Sequence, residues 1–168
     1  MNNKLKIVGH GLAGCTLAMT CYQRNIPFQL VGYAMPGEAS MASSGLIAPI
    51  TGRRYVKAWR IDEFLAKAKE FYHWTETLLG SSFFFPVEIV RYLVHQEGRM
   101  AWERRLDDPE YTEYISTKKY PDLDHLGKPY GVMTGGYRLD TPGWINAVRK
   151  FLYAKDLYEP LDKPYVTD

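Results

Sequence analysis

Apolar positions along the chain switch between two periods. Residues 5–8, Leu-Lys-Ile-Val, form a short apolar run closed by glycine, which predicts a buried parallel strand. After Gly9-His10-Gly11-Leu12-Ala13-Gly14, residues 15–24 make an uninterrupted helical stretch that Asn25-Ile26-Pro27 ends. Residues 28–31 read as a second strand. An amphipathic helix is predicted over 62–79, where Phe64, Leu65, Ala68, Phe71, Tyr72, Leu78 and Leu79 recur at helical spacing and Gly80 stops it. On that helix His73 and Trp74 are read as packing residues. Phe83-Phe84-Phe85-Pro86 marks a break, followed by a strand over 87–95 and a short helix over 98–106. Residues 111–129 are loop-rich, and a strand pattern returns over 131–139 around Gly135-Gly136. Thr141 as N-cap and Pro142 at the first helical position predict a helix to 153, and a short strand is expected near Tyr165-Val166.

Strand, glycine turn, helix and strand within the opening residues make a βαβ unit, the setting in which a GxGxxG pattern acquires meaning. Each glycine has a mechanical role there. Gly9 permits the tight turn off the strand, Gly11 lets backbone approach a diphosphate, and Gly14 lets the helix pack closely on the sheet. The first helical N–H groups and the positive end of the helix dipole then favour an anion. One part of the fingerprint is missing. An acid should close the second strand to hold the adenosine ribose, yet the chain reads Val31-Gly32-Tyr33-Ala34 and the next acid is Glu38. An NADP reader would carry arginine at this point, and none is present. One charge-assisted hydrogen bond is worth roughly 1.5–3 kcal/mol, so its loss weakens a cofactor without excluding it.

Composition narrows the classes further. The chain has 168 residues, with 21 Lys and Arg against 19 Asp and Glu. This flat balance, with no basic cluster larger than the adjacent Arg53-Arg54, argues against a nucleic-acid partner. No apolar run approaches the length of a membrane span, and the start is too weakly apolar for a signal peptide, so a cytoplasmic location without membrane contact is expected. Cys15 and Cys21 are read as small buried thiols rather than a disulfide or redox pair. His10, His73, His95 and His125 have no metal spacing, and no metal is expected. No Ser-His-Asp arrangement is present, and no residue is assigned to catalysis.

The glycine motif, Ala39-Ser40, and the run Ser43-Ser44-Gly45-Leu46-Ile47-Ala48-Pro49 together resemble the start of FAD-dependent oxidoreductases of the D-amino-acid oxidase and glycine oxidase type. Residues 47–60, IAPITGRRYVKAWR, are especially similar to a bacterial branch of that family. The family includes the oxidase half of a bifunctional tRNA-modifying enzyme. The resemblance implies an α/β fold: a Rossmann-like FAD-binding portion over 1–82, and part of an α+β substrate lobe over 83–168. It implies FAD as cofactor, with Gly9, Gly11, Leu12, Ala13 and Gly14 at the diphosphate. Ser43, Ser44, Gly45 and Leu46 would lie along the cofactor towards the isoalloxazine, or form simply a flexible loop. Arg53 and Arg54 are candidates for a phosphate or a substrate carboxylate, or alternatively plain surface charge. The implied activity is flavin-mediated oxidation of a small amine or amino-acid substrate, and the chain's tyrosines either line its pocket or pack.

Members of that family are much longer than this chain, and the later half supplies further flavin contacts. Two alternatives therefore stand beside the oxidase reading. One is a truncated, non-catalytic subunit that binds flavin or a partner, and the other is an NAD-dependent Rossmann dehydrogenase supported by the glycines alone. With little else to build the parallel sheet, the strand over 5–8 is expected near an unpaired apolar edge. That edge calls for a homodimer or a complementary chain to cover it.

Overall fold

The computed structural model describes residues 4–165. In chain order the elements are β1 (Leu5–Val8), α1 (Leu12–Gln23), β2 (Phe28–Tyr33), β3 (Leu46–Ile47), β4 (Ile50–Thr51), β5 (Val56–Lys57) and α2 (Ile61–Leu79). Then follow β6 (Phe84–Tyr92), α3 (Gln96–Leu106), β7 (Ile115–Ser116), α4 (Pro121–Asp124), β8 (Tyr130–Leu139), α5 (Thr141–Tyr153) and β9 (Tyr158–Leu161). The expected βαβ unit is present, and the fold class is mixed α/β with a parallel sheet. Among the described residues no helix is long and apolar enough to cross a membrane.

Two compact units make up the chain, and neither is continuous in sequence. The first takes residues up to 45, 72–83 and everything from 140 on; the second takes Leu46–Phe71 and Phe84–Leu139. Residues from 140 onward group with the opening βαβ unit.

In the first unit a parallel sheet runs in the order β1-β2-β9. Its register pairs Ile7 with Leu30, and Gly32 with Pro160. Helix α1 packs on β1, β2 and α5, and α5 packs on β9. The core holds Met19 and Ala18 of α1, Leu30 and Phe28 of β2, and Trp144, Ile145, Val148 and Leu152 of α5, all at or near zero exposure. Trp144 shows how a buried polar group is satisfied here. Its indole Nε1–H donates to Thr75 Oγ1 at 3.1 Å, and Tyr72 meets its ring edge-on at 5.5 Å. Cys15 and Cys21 are free and buried, as expected. On α2, His73 is exposed, so of the expected packing pair only Trp74 is partly buried.

The second unit is built on the antiparallel sheet β3-β8-β6, with β7 also paired to β8, and on the small β4-β5 ladder. A bulge falls between Val87 and Ile89. Its core clusters Ile50, Leu65, Trp102, Met133 and a set of tyrosines. Tyr55, Tyr111, Tyr114 and Tyr130 are each at most 7% exposed, which supports the packing reading for these four. Tyr55 meets Trp102 edge-to-face at 5.3 Å. Glycine is required at 131, since a Cβ there would lie 2.7 Å from Trp102 Cδ2.

Three boundaries differ from the sequence reading for physical reasons. β6 starts at Phe84 and runs through Pro86, which the reading took as a break. β6 is an edge of its sheet, where a missing N–H is tolerated. The last described strand, β9, is one the reading did not expect; the strand expected near Tyr165-Val166 reaches outside the described residues, where Val166 lies. β9 is again an edge strand carrying a proline, Pro160. The N-cap of α5 is Asp140 rather than Thr141, and its Oδ1 accepts from Gly143 N at 3.2 Å.

Candidate cofactor site

The glycine turn sits between β1 and α1. Gly9 has φ +105°, a conformation open to glycine, and its N–H donates to Val31 O at 2.9 Å, which ties the turn to β2. A Cβ on Gly14 would lie 2.8 Å from the Gly9 carbonyl carbon and closer still to its oxygen, so glycine is what lets α1 seat on the turn. Gly11 is the N-cap of α1, and Leu12 and Ala13 open the helix. This arrangement fits a diphosphate: backbone approaches without side chains, and the helix dipole points at the turn. Ser40 already lies against it, because Leu12 N donates to Ser40 Oγ at 3.1 Å.

The end of β2 has no room for the acid that would hold an adenosine ribose. His10, only 5% exposed, turns its ring over the end of β2, and a Cβ on Gly32 would lie 2.6 Å from His10 Nδ1. An acid at residue 32 therefore has no room, and the ring itself stands where such an acid would project. The ring is held at both nitrogens. Nε2 faces Glu38 Oε1 at 3.2 Å, and Nδ1 faces Tyr158 Oη at 2.7 Å. A carboxylate only accepts, so Nε2 carries the proton, and the neutral Nδ1 accepts from the Tyr158 hydroxyl.

Arg149 of α5 locks the group. Its Nε and Nη2 donate to the His10 carbonyl oxygen at 3.0 and 2.9 Å, and Nη2 also donates to Glu38 Oε2 at 2.7 Å. Cys15 Sγ donates to the same carbonyl at 3.1 Å, and Met35 N donates to Glu38 Oε1 at 3.3 Å. Burial, then the Arg149 charge, holds the His10 imidazole below its ordinary value, although Glu38 works the other way. Burial alone would raise Glu38. The Arg149 hydrogen bond and charge outweigh it and, together with His10, keep that carboxyl below the usual carboxylate range. Burial pushes the Cys15 thiol up to about 11, so it stays protonated and unreactive at neutral pH.

Ser43 and Ser44 are exposed; Ser43 Oγ donates to Ser40 O at 3.2 Å, and Gly45 has φ +65°. Leu46 opens β3 in the second unit, opposite Arg138 of β8, and is 49% exposed. Arg53 and Arg54 line different clefts. Arg53 shares an open cleft of about 860 Å³ with Tyr55, Arg91 and His95, whereas Arg54 meets Arg104 and Arg105 around a hollow of about 160 Å³. That three-arginine grouping is one that spacing along the chain does not reveal. Among the described residues no cluster of His, Cys, Asp and Glu could hold a metal ion.

Sequence reasoning missed Glu38, Arg149, Tyr158 and the ring of His10 as one cluster. A bulky residue between two glycines of the turn was the available signal for His10. Nothing local marks Arg149 or Tyr158.

No protein-family model matches the chain, and no curated protein matches its sequence. Solved structures match its fold. Iminodiacetate oxidase from Chelativorans superposes with a TM-score of 0.64 at 15% identity, over 94% of this chain and 46% of that one. Glycine oxidase from Bacillus cereus gives 0.62 at 16% identity, over 94% and 46%. A dithionite-reduced L-α-glycerophosphate oxidase from Mycoplasma pneumoniae, with FAD bound, gives 0.55 at 16%, over 94% and 44%. The chain thus shares its fold with part of each of these oxidases and spans less than half the length of each of these structures.

Proposed function

We propose that this chain is the flavin-binding portion of an FAD-dependent oxidoreductase acting on a small amine or amino-acid substrate. The observation that carries the reading is the glycine turn: Gly9 has open space beside it, Gly11 caps α1, and Gly14 lets the helix seat on the turn, within a fold shared with amine and amino-acid oxidases. Gly9, Gly11, Leu12 and Ala13 would meet the FAD diphosphate, and Ser40 Oγ would yield Leu12 N to a phosphate oxygen. A bound flavin would supply the redox chemistry, and the chain's contribution is to hold and orient it.

The test is a titration of the full chain into FAD, followed by quenching of flavin fluorescence, with riboflavin as the control lacking phosphate. Saturable binding of FAD, and none of riboflavin, is expected. Equal binding of the two, or none of either by the chain and by its folded His10→Gly variant, removes the reading.

A second reading is favoured by one observation. Among the described residues β1 pairs only with β2, so its other edge is free, and Leu5 and Val8 are 44% and 54% exposed. On this reading the chain is a partner-binding subunit, whose β1 edge takes a strand from another polypeptide.

A further inference from the structure

The residue closing the second strand of a dinucleotide-binding unit is usually an acid. Here glycine stands at residue 32, and His10, within the glycine turn, lies over it. The two residues depend on each other. His10 can lie over the end of β2 only because residue 32 lacks a side chain, since a Cβ there would come within 2.6 Å of the ring. The next acid along the chain, Glu38, has both carboxylate oxygens already engaged. Oε1 accepts from His10 Nε2 and Met35 N, and Oε2 accepts from Arg149 Nη2. Tyr158 holds the far side of the ring, and Arg149 clamps its carbonyl.

We propose that His10, fixed by Glu38, Tyr158 and Arg149, fills the adenosine-ribose subsite, so that this chain excludes the adenosine half of a dinucleotide bound at its glycine turn. His10 is then the residue that decides specificity between a flavin dinucleotide and a flavin mononucleotide. The inference rests on the flavin reading above and deepens it. An adenosine that cannot reach its ribose contacts adds nothing to affinity, so FAD should gain no advantage over FMN.

The test measures FAD and FMN affinities, by fluorescence titration, for the full chain, for His10→Gly, and for the double variant His10→Gly with Gly32→Asp. Wild type is expected to bind the two flavins about equally. His10→Gly opens the subsite. The double variant restores an acceptor there and tightens FAD by about tenfold or more, the worth of one charge-assisted hydrogen bond, while FMN stays unchanged. A wild-type chain that prefers FAD to FMN by about tenfold or more overturns the proposal. So does a double variant with an unaltered FAD to FMN ratio. If the variants fail to fold, as read by circular dichroism, the wild-type ratio alone decides. Absence of binding for both flavins in wild type and in folded variants removes the flavin reading and this inference with it.

Discussion

His10 lies between two glycines of a turn, yet its ring is nearly buried and both nitrogens are engaged. A buried imidazole with a lowered pKa is a statement about acid stability. Its folded value lies below the ordinary 6.5, so between the two the unfolded chain binds more protons, and stability falls as pH drops through that window. Glu38 acts with the same sign further down. Its folded value lies below 4.5, so the stability it contributes is present above 4.5 and is lost as pH falls through the folded value. Urea midpoints are therefore expected to decrease as pH falls from neutrality past 6.5, and to decrease less in His10→Gln. A midpoint that holds steady or rises over that range in wild type contradicts a neutral, buried His10. The glycine pattern was legible in the sequence because φ and close approach are local properties. The role of His10 was not, because its partners come from β9 and α5 and from the loop after β2.

At the scale of elements, α1, α2 and α5 lie within a few residues of where hydrophobic spacing predicts them. The misses have a common cause. Pro86 and Pro160 argue locally against a strand, but β6 and β9 are edges, where no ladder partner is owed on one side. Helix α5 carries much of the first unit's core through Trp144, Ile145, Val148 and Leu152, and it also delivers Arg149 to the turn. Its start is held by Asp140, whose carboxylate accepts from Gly143 N. Asp140→Ala is expected to cost about 1 kcal/mol, measured as a lowered urea midpoint with unchanged slope. No loss would mean that the cap contributes nothing and that packing alone sets the helix start.

At the scale of the molecule, the compact units cut across the chain, and β9 closes one side of a sheet whose other side is β1. Among the described residues β1 pairs on one side only, and such an apolar parallel edge is prone to pair with a strand that is offered, which in purified protein is that of a second copy. Size-exclusion chromatography with light scattering is expected to show a mass above the monomer that rises with concentration, and Val8→Lys should shift it back to the monomer. A wild-type chain that stays monomeric at high concentration removes the edge as an interaction site, and with it the partner-binding reading.

The sequence by itself determined the βαβ unit, its glycine turn and the amphipathic helices. Short-range hydrophobic period and glycine's backbone freedom act over a few residues and are written in order along the chain. It also located the gap at Gly32, where an acid was wanted. Only the tertiary structure decided what fills that gap. Arg149 and Tyr158 stand 139 and 148 positions from His10, and contacts at such separations leave no local period to read. They form because β9 returns beside β2 and α5 packs on α1, which brings a guanidinium and a phenol to one buried ring.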